Sequence, residues 1–372
     1  MIDDAAQMAR ALLLAERGRG RTSPNPMVGA IVVDQDGVVV GRGAHERAGG
    51  PHAEVVALSD AGPRARGATL YCTLEPCSHT GRTGPCAPRV VEAGIRRAVI
   101  AVEDPNPRVS GRGLAYLRSH GVEVEVGVMA PEAERLNRAF FTYITEDRPF
   151  VTIKAAVSLD GMVAARAGAR TSITGPEANA LVHRERAEVD AIAVGSETVV
   201  VDDPLLTARG VYRERPLVRV VFDRRLRTPP AARLFSTLDA GPVIVMSTAS
   251  TDSDQQSRAD ALTTAGAQVE LIGEPRDYAG MTSASFLRAA LGRLAQLHVT
   301  SLVVEGGPTL HQGFWDAGLV DRVQLFVSPR PVGDGGVAWA ALPDGSIASL
   351  TDLTTTPVGD DVRIEGYVHR PH

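Results

Sequence analysis

The chain is poor in cysteine, in aromatic residues and, above all, in lysine. Three cysteines among 372 residues exclude a disulfide scaffold and fit a reducing cytoplasm. Aromatics make up 4% and the formal net charge is −5, with no run of basic residues. A nucleic-acid surface would instead show a basic stripe with interleaved aromatics, so no nucleic-acid partner is expected. No apolar stretch reaches the about 18 residues of a membrane span, so no membrane partner is expected either. The first residues, Met1-Ile2-Asp3-Asp4, are acidic where a signal peptide would be basic. What remains is an ordinary globular composition, with 44% apolar and 22% charged residues. The length suits about two domains of roughly 150 residues each.

The lysine shortage carries information of its own. Of 39 basic residues, 38 are arginine and one is lysine, Lys154. Such a skew reflects genome base composition, because the two residues are similar on a solvated surface. A lysine that survives this background marks a place where arginine does not serve. Lysine is a compact point charge whose pKa shifts readily on burial, and a guanidinium is neither. The alternative is a statistical leftover.

The sharpest pattern lies in the first quarter. His52-Ala53-Glu54 is followed after 22 residues by Cys77, and after eight more by Cys86. One imidazole and two thiolates make a three-ligand zinc site, and three protein ligands leave the fourth tetrahedral position open for catalysis. The order H-x-E, then P-C, then a later C is the zinc-deaminase signature, in which the glutamate is the general acid/base and not a ligand. Two buried structural cysteines, or a closed structural site with His79 as fourth ligand, are the alternatives. The general signature closes as P-C-x-x-C, whereas here the polar, glycine-rich segment 78–85 separates the cysteines. That segment reads as a substrate loop between two metal ligands.

Hydrophobic patterning predicts α/β structure throughout. A first helix ends near Ala15. A hairpin with strands at 28–33 and 38–40 turns at 34–37. Helices follow at 52–58, 85–93 and 114–118, and strands at 70–74, 98–102 and 122–126. Cys72 falls mid-strand as inert core. Pro85 takes a first-turn position of its helix. A new unit starts near Arg148-Pro149, giving expected domains 1–146 and 147–372. In the second, strands are expected at 150–157, 189–194, 217–222, 243–246, 302–304 and 323–327. Helices are expected at 176–187, 254–265, 286–297 and 308–317.

A second chemical centre is expected there. Glu305-Gly306-Gly307 lies between a strand and a helix, where backbone N–H groups and the helix start favour a phosphate. Ligands of open α/β sheets bind at such strand ends. Two further segments are candidates. One is the polar loop from Gly195 to Thr198 with Asp202-Asp203-Pro204. The other is the stretch from Lys154 to Gly161. No G-x-G-x-x-G fingerprint occurs, so a standard Rossmann site is not supported.

Several of these motifs together resemble a known family. They are Pro24-Asn25-Pro26-Met27-Val28-Gly29, His52-Ala53-Glu54, Thr73-Leu74-Glu75-Pro76-Cys77-Ser78-His79, Gly81-Arg82-Thr83, Pro85-Cys86 and Asp104-Pro105-Asn106-Pro107 in the first half. In the second half they are Lys154-Ala155-Ala156, Ser158-Leu159-Asp160-Gly161, Asp202-Asp203-Pro204 and Glu305-Gly306-Gly307. The chain looks like the bifunctional deaminase/reductases of riboflavin biosynthesis. The resemblance implies a cytidine-deaminase-like three-layer domain followed by a dihydrofolate-reductase-like α/β domain. It implies Zn2+ and NADPH as cofactors and a small pyrimidine ribosylamino phosphate as substrate. The expected reactions are deamination of a diamino-pyrimidinone, with Glu54 as catalytic residue, and then reduction of ribosyl to ribityl, with Lys154 and Asp202.

By the same resemblance, Asn25, His45, His79, Thr83 and Asn106 hold the pyrimidine and ribose, and Arg82 the phosphate. Arg186, Leu206, Arg209 and Glu305 contact the substrate in the reductase half. Ala156, Ser172, Thr198, Asp202, Gly307, Pro308, Thr309 and Leu310 contact the cofactor. Many relatives carry Ser-x-Trp-Ile-Thr where this chain has Arg170-Thr171-Ser172-Ile173-Thr174, so an aromatic cofactor contact is absent at Ser172. The competing functions are a zinc deaminase of another nucleoside or of tRNA with a non-catalytic second domain, and a zinc-stapled binding module. A cytoplasmic enzyme is expected, with room for a homo-oligomer.

Overall fold

The computed structural model describes residues 3–78, 84–273, 281–339 and 349–368. The chain divides into two compact units, Met1–Asp147 and Arg148–Arg370.

In the first unit α1 (Asp4–Ala15) precedes the hairpin β1 (Gly29–Val33) and β2 (Val39–Ala44). Then come α2 (Ala53–Ala61), β3 (Thr69–Cys72), α3 (Cys86–Glu92), β4 (Arg97–Ile100), α4 (Arg112–Ser119), β5 (Glu123–Val126) and α5 (Ala130–Glu146). The sheet runs β2-β1-β3-β4-β5. β1 is antiparallel to both its neighbours, while β3, β4 and β5 are parallel. Strand alternation sorts side chains to two faces. Ala30, Val32, Leu70, Cys72 and Ile100 pack with α2, α3 and α4. Ile31, Val33, Tyr71 and Val99 pack with Met8 and Ala11 of α1 and Ala133 of α5. The result is three layers. At Gly43 of β2 a Cβ would lie 2.1 Å from the Ala53 carbonyl oxygen. The absent side chain lets α2 rest directly on the hairpin and fixes where that helix begins.

The second unit contains β6 (Phe150–Val157), β7 (Met162–Ala164), α6 (Pro176–Glu188), β8 (Ala191–Gly195), α7 (Ser196–Asp202), β9 (Val218–Phe222), β10 (Val243–Thr248), α8 (Ser253–Thr264), β11 (Ala267–Ile272), α9 (Ser283–Gln296), β12 (Ser301–Val304), α10 (Pro308–Asp316), β13 (Arg322–Val327), β14 (Val337–Ala338), β15 (Thr351–Val358) and β16 (Asp361–Tyr367). Its main sheet runs β11-β10-β9-β8-β12-β6-β13-β16-β15. β11 to β13 are parallel, and β16 and β15 complete the edge antiparallel. One face packs on α9 and Phe314 of α10, the other on α8 with Leu206 and Leu234.

Both units are α/β as expected, with local differences. The expected polar loop from Gly195 to Thr198 is the start of α7. Cys72 ends β3 rather than lying mid-strand, and Pro85 is the N-cap of α3, one position before the first turn. Helix α5 was not anticipated, because a polar residue, Asn137, occupies its buried face and interrupts the apolar period. β15 was missed because its threonine-rich residues are mostly exposed and show no alternation.

Candidate active sites

The first site is built where α2 and α3 begin. His52 is the N-cap of α2, Cys86 is the first residue of α3, and Cys77 lies in the segment before it. The N–H groups of Cys86 and Ala87 both donate to the Cys77 carbonyl, each at 3.0 Å, which folds the two thiols together. His52 Nδ1 lies 3.1 Å from Cys86 Sγ and 3.6 Å from Cys77 Sγ. All three donor atoms fall within 4.8 Å of one another. Tetrahedral zinc, with bonds of about 2.0 Å to nitrogen and about 2.3 Å to sulfur, needs an N···S separation of roughly 3.5 Å. The donor set therefore fits zinc in kind and spacing. The electrostatics agree. Hydrogen bonds from Cys86 first, and from His52, draw the Cys77 thiol down to about 4. Cys86 is pushed up, because the hydrogen bond to Cys77 and burial leave it holding the proton of the pair. A dication between the two sulfurs would stabilise both as thiolates.

A cavity of about 340 Å³ opens beside the triad, lined by Asn25, His45, His52, Glu54, Cys77, Asn106 and Phe140 among others. Glu54 is 3% exposed, and burial pushes its carboxyl up to about 7. His45 Nδ1 donates to the Pro51 carbonyl at 3.0 Å. Burial lowers the His45 pKa, so the ring is neutral and its Nε2 accepts from Asn25 Nδ2 at 3.1 Å. That bond leaves the Asn25 carbonyl oxygen as the acceptor for a ligand. Asn106 is fixed in the opposite sense. Its Oδ1 accepts from Arg108 N at 3.0 Å, leaving its amide to donate. His79, Arg82 and Thr83 lie outside the described residues.

Two residues here escaped the sequence reading. Asn137 of α5 clamps the loop that carries Asn25, accepting from Met27 N at 2.8 Å and donating to Met27 O at 2.9 Å. Phe140, one turn along, walls the cavity. The spacing of Leu136, Phe140 and Tyr143 was the available signal of a helix.

The second site lies along the carboxyl ends of the parallel strands. A cavity of about 840 Å³ is lined by Lys154, Ala156, Ser172, Thr198, Asp202, Glu305, Gly307, Pro308, Thr309 and Leu310, together with Arg224 and Arg227. Parallel register pairs Val304 of β12 with Ile153 of β6, so Glu305 comes level with Lys154. Lys154 Nζ is 3.9 Å from Glu305 Oε2 and 5.5 Å from the Phe326 ring centre. Arg186 grips the same carboxylate with two bonds, of 2.8 and 2.7 Å. Burial raises the Glu305 pKa, but Arg186 and Lys154 outweigh it and hold the carboxyl at about 2. Burial lowers the pKa of Lys154, against the pull of Glu305. Beneath the turn, His311 Nε2 donates to the Val304 carbonyl at 3.1 Å and its Nδ1 accepts from Trp339 Nε1 at 2.9 Å. Burial also raises the pKa of Asp202.

Three expected substrate contacts do not line this cavity. Arg186 stands behind Glu305 and spends a further N–H on the Thr207 carbonyl at 3.0 Å. Leu206 is 3% exposed in the core with φ of +54°. Arg209 is exposed, with Nη2 3.0 Å from His183 Nε2. Arg224 and Arg227 were missed for a compositional reason. Among 38 arginines no single one stands out.

Known proteins match both halves. The model of the RibD C-terminal domain matches residues 149–364, and that of the cytidine and deoxycytidylate deaminase zinc-binding region matches residues 1–102. Riboflavin biosynthesis protein RibD of Aquifex aeolicus is 43% identical over 89% of this chain and 88% of its own. The Escherichia coli protein of the same name is 38% identical over 92% of each. The structure of Acinetobacter baumannii RibD superposes with a TM-score of 0.83 at 34% identity, covering 99% of both chains. That of a diaminohydroxyphosphoribosylaminopyrimidine deaminase/5-amino-6-(5-phosphoribosylamino)uracil reductase from Thermotoga maritima gives 0.81 at 33% identity, covering 98% of both. With relatives of this kind matched from end to end, the chain belongs to the RibD family of bifunctional riboflavin-biosynthesis enzymes, in which a zinc-dependent deaminase and an NADPH-dependent reductase share one polypeptide.

Proposed function

We propose that the chain deaminates 2,5-diamino-6-(5-phosphoribosylamino)pyrimidin-4(3H)-one and then reduces its ribosyl group, giving 5-amino-6-(5-phosphoribitylamino)uracil. One observation carries the reading: an N,S,S donor triad beside a buried carboxylate and a buried ammonium–carboxylate pair at sheet ends occur on a single chain. His52, Cys77 and Cys86 would hold zinc, which would supply the Lewis acid that makes water nucleophilic near neutral pH. Glu54 takes a proton from the attacking water and returns it to the departing ammonia. Asn25 and Asn106 hold the pyrimidine by an acceptor and a donor. In the second unit NADPH would supply a hydride to the ribose C1′, whose bond to the ring oxygen breaks. Lys154 passes a proton to the ribose ring oxygen as the sugar opens, and Glu305, kept anionic by Arg186, holds the ammonium in place. The three free cysteines support a cytoplasmic enzyme. No helix among the described residues is long and apolar enough to cross a membrane.

The test follows ammonia release and NADPH loss separately, on the phosphorylated diamino-pyrimidinone and on its deaminated product. Wild-type chain consumes both substrates, and a chain that releases no ammonia refutes the deaminase assignment. Cys86→Ser abolishes ammonia release and leaves reduction of the deaminated substrate nearly intact. Equal loss of both, in protein still folded by circular dichroism, argues for one composite site.

Strand order supports one orientation of the cofactor. β6, with Lys154, is three strands from β9, a spacing of about 14 Å. That span suits an extended dinucleotide, whose nicotinamide Lys154 would hold, its pyrophosphate Gly307, and its adenosine side Arg224 and Arg227. Arg224 packs on the Phe286 ring at 5.6 Å and donates to the Met281 carbonyl at 2.8 Å, and both contacts hold its guanidinium in the cavity wall. We assign these arginines to the phosphate that distinguishes NADPH from NADH. A charged hydrogen bond is worth about 1.5–3 kcal/mol, so Arg224→Ala raises the NADPH dissociation constant about tenfold or more. NADH binding, titrated in parallel, stays within about twofold. Equal weakening of both cofactors removes the assignment.

A further inference from the structure

Two buried glutamates face the cavity beside the metal ligands, Glu54 and Glu75. Their environments differ in kind. Glu75 is 4% exposed and follows β3, two residues before Cys77. Its Oε2 accepts from the N–H groups of Gly111 at 3.0 Å and Asp104 at 3.3 Å. Its Oε1 accepts from Gly113 at 2.8 Å and Leu114 at 3.3 Å. No ion pair to Glu75 occurs among the described residues. A carboxylate has about four acceptor directions, and here four backbone donors occupy them. All four belong to one segment, 104–114, which carries Asp104 and Asn106 into the cavity. The segment is folded on itself as well. Asn106 N donates to Asp104 Oδ1 at 2.8 Å, and Val109 N donates to the Asn106 carbonyl at 2.7 Å. It also lies hard against the metal-bearing turn. A Cβ at Gly113 would sit 1.9 Å from the Pro76 carbonyl oxygen and 3.1 Å from Glu75 Oε1.

We propose that Glu75 is a positioning residue of the deamination, which locks the 104–114 segment onto the turn bearing Cys77 and so sets Asp104 and Asn106 against the pyrimidine. It carries no proton in the reaction. A group whose lone pairs are all engaged by fixed backbone donors has no free face to offer a water. The inference rests on the deaminase reading of the first unit. The clamp explains why two acidic side chains share one cavity: one moves protons, and the other holds the wall.

The test is Glu75→Gln in the full chain. Glutamine keeps size and shape but replaces one oxygen with an amide that only donates. Two of the four backbone N–H groups then face a donor. The chain should retain one zinc and an unchanged rate of reduction of the deaminated substrate, which serves as an internal control of folding. KM for ammonia release should rise about tenfold or more, as expected for buried donors left unpaired, with kcat changed less than KM. Amide hydrogen exchange at Gly111, Gly113 and Leu114 should accelerate, a readout that a proton carrier would not move. Asn106→Ala, which leaves the clamp intact, should raise KM without altering exchange at those amides.

A collapse of kcat with KM and exchange unchanged would make Glu75 a proton carrier and overturn the proposal. Loss of zinc with no change in exchange would overturn it too, making Glu75 a support of the metal alone. If Glu75→Gln fails to accumulate as folded chain, Glu75→Asp keeps the carboxylate and shortens its reach to the four N–H groups by one methylene. It should give the same KM-dominated loss, and wild-type kinetics from that variant would sink the idea. A wild-type chain that releases no ammonia removes the deaminase reading, while the exchange comparison still decides whether the clamp exists.

Discussion

Glu54→Gln is expected to keep its zinc and lose deamination by at least about 10²-fold, the usual cost of removing a general acid/base. Glu54 sits one residue inside α2, whose N-cap is His52, so the helix that presents a metal ligand also presents the carboxylate. Burial at 3% exposure and a pKa pushed up to about 7 poise it to exchange protons near neutrality. Glutamine preserves the volume and removes only that exchange. The metal ligands are untouched, so zinc stoichiometry is the control and ammonia release the measurement. Release within tenfold of wild type would transfer the proton-carrying role elsewhere.

Lys154→Arg should preserve charge and fold and reduce the reductase turnover by orders of magnitude. NADPH affinity, measured by titration, should change much less. The side chain is confined between Glu305 and the Phe326 ring, and Arg186 already occupies the carboxylate with two bonds. A planar guanidinium there has no second carboxylate edge to grip, and it does not release a proton. The pH dependence gives a separate check. Burial lowers the Lys154 pKa from its ordinary 10.5, so the protonated, donating form is full at low pH and is lost as pH rises through a value below 10.5. Wild-type turnover should fall on that alkaline side, and Lys154→Arg should lack the same limb. If arginine works within roughly tenfold, about 1.4 kcal/mol, Lys154 is a binding residue only.

Local order explains why some residues were legible in the sequence and others were not. His52, Glu54, Cys77 and Cys86 carry their chemistry in residue type and spacing, so their role could be read before any fold was known. Lys154 stood out because every other basic residue of the chain is arginine, and again as part of a family motif. Arg186 shows the opposite case. The family resemblance made it an expected substrate contact, and the fold engages its guanidinium with Glu305, outside the lining of the cavity. Asn137 and Glu75 have no motif-level meaning of their own, since each acts by bonding backbone groups far along the chain, at Met27 and at residues 104–114.

By itself, the sequence determined the zinc-deaminase class and the α/β character of both halves, while the reductase class came from the family resemblance of its motifs. Metal donors, alternating strands and glycine turns are set by local chemistry, which a linear string preserves. Tertiary structure alone decided which buried carboxylate is bonded to four backbone donors, which arginines line the second cavity and which amide edge Asn25 and Asn106 present. Those properties depend on donors and acceptors brought together across long stretches of chain, and no residue type or spacing encodes where a side chain's bonds are already spent.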